Sequence, residues 1–171
     1  MPSPVGHALA GVAVGWLIDG RRAIVDAAWR RAAAYVLLAT LPDADLLVGS
    51  HRGPSHGLGT AFLVGIIVAV ATRRLRVAIA CALAFASHIL LDWLGTDTTP
   101  PIGLMALWPF SREYYEAPYH VFMAVSRRYW LPEFWTYNVR VVLREIVILG
   151  PFAFGAALSA RRARALRARA R

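Results

Sequence analysis

The chain has 171 residues, 58% of them hydrophobic and 17% charged, with a mean hydropathy of +0.49. A soluble domain is nearer a quarter charged, and one domain of this length can bury so much apolar side chain only by placing it in lipid, so an ordinary globule, a disordered chain and a collagen-like or disulfide scaffold are excluded. The net charge of +9 would point to nucleic acid on a soluble chain, but all 19 basic residues are Arg and most lie between apolar runs or in the tail, as on the flanks of membrane helices, so no nucleic-acid partner is expected.

Five apolar stretches follow one another, at residues 5–18, 32–48, 57–72, 77–94 and 141–160. Each approaches the roughly 20 residues that cross a bilayer, the first and third being short, and together they predict an all-α, polytopic integral membrane protein with five transmembrane helices in one membrane-embedded domain. Residues 1–6 carry no Lys or Arg, so the first stretch is expected to stay in the mature protein rather than act as a secretory signal. Cys81 is the only cysteine and lies inside an apolar run, which rules out an intrachain disulfide.

Arginine marks the cytoplasmic side. Arg21, Arg22, Arg30 and Arg31 follow the first stretch, Arg73, Arg74 and Arg76 follow the third, and Arg161, Arg162, Arg164, Arg167, Arg169 and Arg171 form a basic tail at 161–171. The alternate loops are poorer: Arg52 alone follows the second stretch, and Arg112, Arg127, Arg128 and Arg140 are spread over the long segment after the fourth. The predicted topology is N-terminus outside and C-terminus cytoplasmic. Residues 112–140, rich in Tyr, Trp and Phe, are expected to lie along the outer interface rather than cross a sixth time.

An ionisable side chain near the bilayer centre costs roughly 2.5–3.5 kcal/mol, so each one needs a reason. Those present gather on the outer side: His7 in the first stretch, Asp43 and Asp45 toward the end of the second, His51, Arg52 and His56 in the loop that follows, and His88 and Asp92 toward the end of the fourth, with Asp97 just beyond. Imidazole nitrogens and carboxylate oxygens are ligands of zinc and similar divalent ions. His88 and Asp92, four residues apart, share a helical face. Asp43 and Asp45 would point to opposite sides of a regular helix, but Pro42 predicts a break, after which one can ligate and the other orient a histidine or act as base. Gly53-Pro54 reads as a turn folding His51 and His56 inward.

Each fragment alone has an ordinary explanation, a satisfied polar pair or a helix stop, and only their joint placement argues for a metal site. The set His7, Asp43, Asp45, His51, His56, His88 and Asp92 exceeds the needs of one tetrahedral ion, so two or more metals, Zn2+ first, are expected. His120 is expected to lie outside the ligand set. Arg144 and Glu145 are explained by pairing with other helices or by snorkelling.

His7 with Gly11, Leu-Pro-Asp-Ala-Asp at 41–45, His-Arg-Gly-Pro-Ser-His at 51–56, His88-x-x-x-Asp92 and Leu-Trp-Pro-Phe-Ser at 107–111 occur in the order seen in one family. Over about residues 5–115 the chain resembles the membrane-bound metal-dependent hydrolases, also described as LexA-regulated inner-membrane hydrolases. That family is similar in motif layout to the helical zinc phospholipase C and nuclease group. The resemblance implies a bacterial inner-membrane location, the same seven metal-site residues and a multi-zinc site acting on phosphoesters. Ser55 stands where Thr is common, and Gly95 where a Thr is common three residues after the aspartate.

The function expected is hydrolysis of a lipid or lipid-linked phosphoester at the outer membrane surface, with Asp45 taking a proton and Arg52 holding an anionic group. The alternative is a non-enzymatic membrane protein, either a metal or ion transporter or a partner-binding subunit. Transporters favour midplane sites and repeated halves, and neither is visible here.

Overall fold

The computed structural model describes residues 1–19, 28–49 and 51–169. They form five α-helices: α1 (Pro4–Asp19), α2 (Ala28–Thr40), α3 (Leu58–Thr72), α4 (Leu75–Trp93) and α5 (Phe134–Arg169). Two 3₁₀ segments, Leu41–Val48 and Pro54–His56, connect α2 to α3. Arg21, Arg22 and Arg171, on which part of the charge-based topology rests, lie outside the described residues.

Two helices, Leu75–Trp93 and Phe134–Ala163, are long and apolar enough to cross a membrane. At 1.5 Å per residue the 16-residue α1 and the 15-residue α3 reach only about 24 Å, just short of a full hydrocarbon core. The 13-residue α2 stops at Thr40, because Pro42 cannot continue an α-helix, and the second half of the apolar stretch 32–48, from Leu41 to Val48, is 3₁₀. α5 is longer than the apolar stretch 141–160 at both ends: residues 134–140 of the aromatic segment form its first turns, and the basic tail continues it as far as Arg169.

α1 sits centrally, packed on α2, α4 and α5, while α4 also contacts α2 and α3. Gly11 and Gly15, one turn apart, let α1 approach α2 closely: a Cβ on Gly11 would lie 2.8 Å from the Tyr35 carbonyl oxygen, and one on Gly15 would fall into the Tyr35 ring. Tyr35 is thereby buried with Ala80, Cys81 and Ala84 of α4. At the same end Tyr35 Oη donates to Asp19 Oδ2 at 3.1 Å, and Asp19 is also paired with Arg31.

Glu145 on α5 is buried and accepts from the Ser3 amide at 2.6 Å and from the Ser3 hydroxyl. Its carboxylate therefore sits at the N-terminus of α1, where the helix dipole favours negative charge, and fixes the turn that carries His7. The pairing expected of this residue is thus a tie between α5 and the start of α1.

Between α4 and α5 the chain folds back over the end of the bundle. Its β pairing among the described residues is two isolated bridges, Gly95 with Phe122 and Leu104 with Tyr115. The carbonyls of Ala106 and Trp108 accept from the amides of Leu58 and Gly59 at 2.9 Å each, so this segment caps the otherwise open N-terminus of α3. Phe122 is buried under it, whereas Phe110, Tyr119, Tyr129, Trp130 and Trp135 are exposed. Large apolar side chains are bare on the flanks, among them Phe62, Ile67 and Val70 of α3 and Val147, Phe152 and Phe154 of α5.

Candidate metal centre

The site is assembled where α1 starts, α2 breaks and α4 ends. A 3₁₀ segment turns about 120° per residue, so Asp43 and Asp45 diverge less than they would on an α-helix and both can face inward. Asp43 turns toward α4 and Asp45 toward the loop.

Four atoms converge: His56 Nε2, His88 Nε2, Asp92 Oδ2 and Asp43 Oδ1. The two imidazole nitrogens are 3.1 Å apart. Asp92 Oδ2 lies 3.4 Å from His56 Nε2 and 3.2 Å from His88 Nε2, and Asp43 Oδ1 lies 3.8 Å and 3.7 Å from the same two atoms. Donors held about 2.0–2.1 Å from a tetrahedral zinc are about 3.3–3.4 Å from one another, so the observed spacings suit one such ion. This set and a second, Asp45 with His51 and His56, are the His/Asp groups among the described residues that can hold a metal.

Hydrogen bonding separates the two groups. Asp43 Oδ1 and both carboxylate oxygens of Asp92 are buried without a partner, as are both ring nitrogens of His7. Leaving such groups unsatisfied costs about 1–3 kcal/mol each, and more for charged ones, and a cation among them would remove that cost. Asp45, by contrast, accepts from His51 Nδ1 at 2.6 Å, from Ser55 Oγ at 2.6 Å and from the Arg52 amide at 3.1 Å, and its Oδ2 lies 3.2 Å from His56 Nδ1. The carboxylates of the first group lack hydrogen-bond donors, whereas that of the second is already satisfied.

The tautomers follow. His88 Nδ1 donates to the Ala39 carbonyl at 2.7 Å, which leaves the lone pair on Nε2, facing the cluster. Three residues on from Ala39 stands Pro42, which has no N–H, so the proline that breaks α2 also leaves room at a carbonyl that α4 uses. His56 presents Nδ1 to Asp45 and Nε2 to the cluster. Burial by itself would lower its pKa, but the carboxylates of Asp43, Asp45 and Asp92 reverse this and push it up to about 10, so without a cation the ring holds a proton in the cation's place.

Of the seven residues expected at a metal site, Asp43, His56, His88 and Asp92 form the inner set. His7 stacks on His88 with ring centroids 3.8 Å apart and has its Nε2 3.4 Å from Asp92 Oδ1. Asp45 and His51 form an outer layer, with His51 Nε2 2.7 Å from Met1 Sδ. His120 lies apart, bonded to Glu116 at 2.9 Å. Arg52, expected to hold an anionic group, is 7% exposed, its Nη1 is paired with Asp97, and the same nitrogen donates to the carbonyls of Thr99 and Pro101 at 3.1 Å and 2.9 Å. Its φ is +66°, in the left-handed region, and its backbone N–H donates to Asp45 Oδ2. Sequence reasoning did not give Asp97 or Ser55 these roles.

A helical bundle with bare apolar flanks, and with buried histidines and aspartates gathered at one end, defines a membrane protein that carries a candidate metal centre. The chain belongs to the YdjM inner membrane protein family, whose model matches residues 1–166. It is also 31% identical over 166 residues to the inner membrane protein YbcI of Escherichia coli (strain K12), an alignment covering 86% of this chain and 90% of that protein. No solved structure matches the chain. These relatives place it in the bacterial inner membrane. Both descriptions name the membrane, and neither names a reaction.

Proposed function

We propose that this protein is a metal-dependent hydrolase of the bacterial inner membrane that acts on a phosphoester of a lipid or lipid-linked substrate at the outer surface. The observation that carries the reading is the convergence of four donors, two nitrogens and two oxygens, with three of the aspartate oxygens around them buried and unpartnered. That donor set and spacing suit Zn2+. A second ion at Asp45 and His51 would require both ions to share the His56 ring, so one ion per chain is favoured.

All five helices cross in this reading, with α1, α2 and α3 shielded or assisted by the longer α4 and α5, the N-terminus outside and the basic tail cytoplasmic. The exposed aromatic residues of 112–133 and the first turn of α5 then sit at headgroup level.

Held by His56, His88 and Asp92, with the more distant Asp43 left outside its shell, a divalent ion would keep a position open at which to polarise a phosphoryl oxygen and make a water nucleophilic near neutral pH. The chain's own residues do the rest. Asp92 and His88 are fixed by burial, and Asp45 orients His56. Asp43, whose side chain is 21% exposed against 1% for Asp92, faces the direction from which substrate and water enter. Because the oxygens of Asp45 are committed to His51, Ser55 and His56, accepting the proton of the attacking water falls to Asp43.

The test is to purify the protein in neutral detergent, count its metal, and assay a panel of phosphoesters beside His88→Ala. Wild type is expected to hold about one zinc and to turn over at least one phosphoester, with His88→Ala losing both; equal turnover by the two proteins overturns the reading. Flux of divalent ions in proteoliposomes without hydrolysis would indicate transport, which the position of the cluster at one end of the helices disfavours.

A further inference from the structure

Arg52 Nη1 is committed to Asp97, and the exposed arginines nearest the candidate centre among the described residues that line a cavity with it lie farther along the chain. A cleft of about 420 Å³ opens beside it, between the loop that follows Phe122 and the first turns of α5. Its lining includes Arg127 and Arg128, the apolar and aromatic side chains of Leu131, Phe134 and Tyr137, and two carboxylates, Glu133 and Asp97, the latter already paired with Arg52. Both arginines are exposed, and neither has an acidic partner within ion-pair distance among the described residues.

The cleft adjoins the metal centre. Met1 and Arg52 line it, and the same two residues line a small cavity that reaches Asp92. The Met1 thioether stands between the two regions, with Sδ 2.7 Å from His51 Nε2 and 3.9 Å from Arg127 Nη2. Methionine is flexible enough to be displaced by an entering group.

We infer that this cleft is a binding site for a phosphate-bearing amphiphile, with Arg127 and Arg128 holding the phosphate and Leu131, Phe134 and Tyr137 receiving the start of its apolar chain. The inference rests on the hydrolase reading for its purpose, though the binding itself needs no catalysis. Planar guanidinium forks match phosphate oxygens, and a cleft of this size takes a headgroup rather than a whole lipid.

Calorimetric titration of the full chain in neutral detergent separates the contributions, using dodecyl phosphate, inorganic phosphate and dodecanol as probes. Wild type is expected to bind dodecyl phosphate at least about tenfold more tightly than either of the other two, and the double variant Arg127→Ala/Arg128→Ala to lose at least about tenfold of that affinity while keeping its unfolding temperature. Inorganic phosphate binding as tightly as dodecyl phosphate would overturn the apolar half of the inference, since the ligand would then be a soluble phosphate. Undiminished binding by the double variant would overturn the assignment of the arginines. His88→Ala is expected to bind dodecyl phosphate as wild type does: if it does so while no phosphoester is hydrolysed by any form, the hydrolase reading fails and the cleft stands.

Discussion

Asp45 Oδ2 lies 3.2 Å from His56 Nδ1, on the side of the ring opposite the nitrogen that faces His88 and Asp92. One aspartate thus fixes the orientation and the tautomer of a histidine without entering the donor set itself, while Asp43, two residues earlier on the same 3₁₀ segment, enters it.

Substitution of that orienting carboxylate should weaken metal binding without abolishing it. Asp45→Asn is expected to retain the ion but with affinity lowered by about 10–100-fold, as for outer-layer partners of ligating histidines. Asp92→Asn, which alters an inner donor, should leave the purified protein with little metal. Competition with a chelator of known affinity, followed by metal counting, distinguishes the two.

His56 gives the centre a pH signature. In the metal-free protein its pKa is raised from 6.5 to about 10, so its contribution to stability is fully present below about pH 6.5 and is lost as the pH rises toward 10. Thermal unfolding of chelator-treated protein in detergent should therefore fall over that window. Loading with Zn2+ displaces the proton, so the metal-bound form should not show the fall, and titration of zinc near pH 7.5 should release about one proton, read as a dependence of the calorimetric heat on buffer.

The Arg52–Asp97 pair links the loop after α2 to the loop after α4, and both partners are buried. Asp97→Ala should destabilise the protein by about 3–5 kcal/mol, because an uncompensated charge is left inside. Replacing both partners with apolar residues, as in Arg52→Met/Asp97→Leu, should recover most of the loss. Denaturation followed by tryptophan fluorescence gives both values, and a double variant as unstable as the single one would show that the loop depends on the charge itself.

Much of this protein was legible in its residues. The spacing of His88 and Asp92 already put both on one helical face, Pro42 already predicted the end of α2, and His7, Asp43, Asp45, His51, His56, His88 and Asp92, expected together from the order of the apolar stretches and loops, gather at one end of the bundle. These are local properties: helical period, a missing N–H and the cost of charge in lipid each act within a few residues or along one coordinate, the depth in the membrane.

What the tertiary structure decided is which of two neighbouring aspartates faces His88 and Asp92, that Arg52 pairs with Asp97, that Ser3 at one end of the chain is held by Glu145 on α5, and that a cleft carrying Arg127 and Arg128 opens beside the centre. The Arg52–Asp97, Ser3–Glu145 and Ala39–His88 contacts join residues 45 or more positions apart, brought together by how α1 seats against α2, α4 and α5. Composition and periodicity specify that a polar side chain must find a partner in an apolar surrounding, but the choice among several partners of the same chemistry is made by packing.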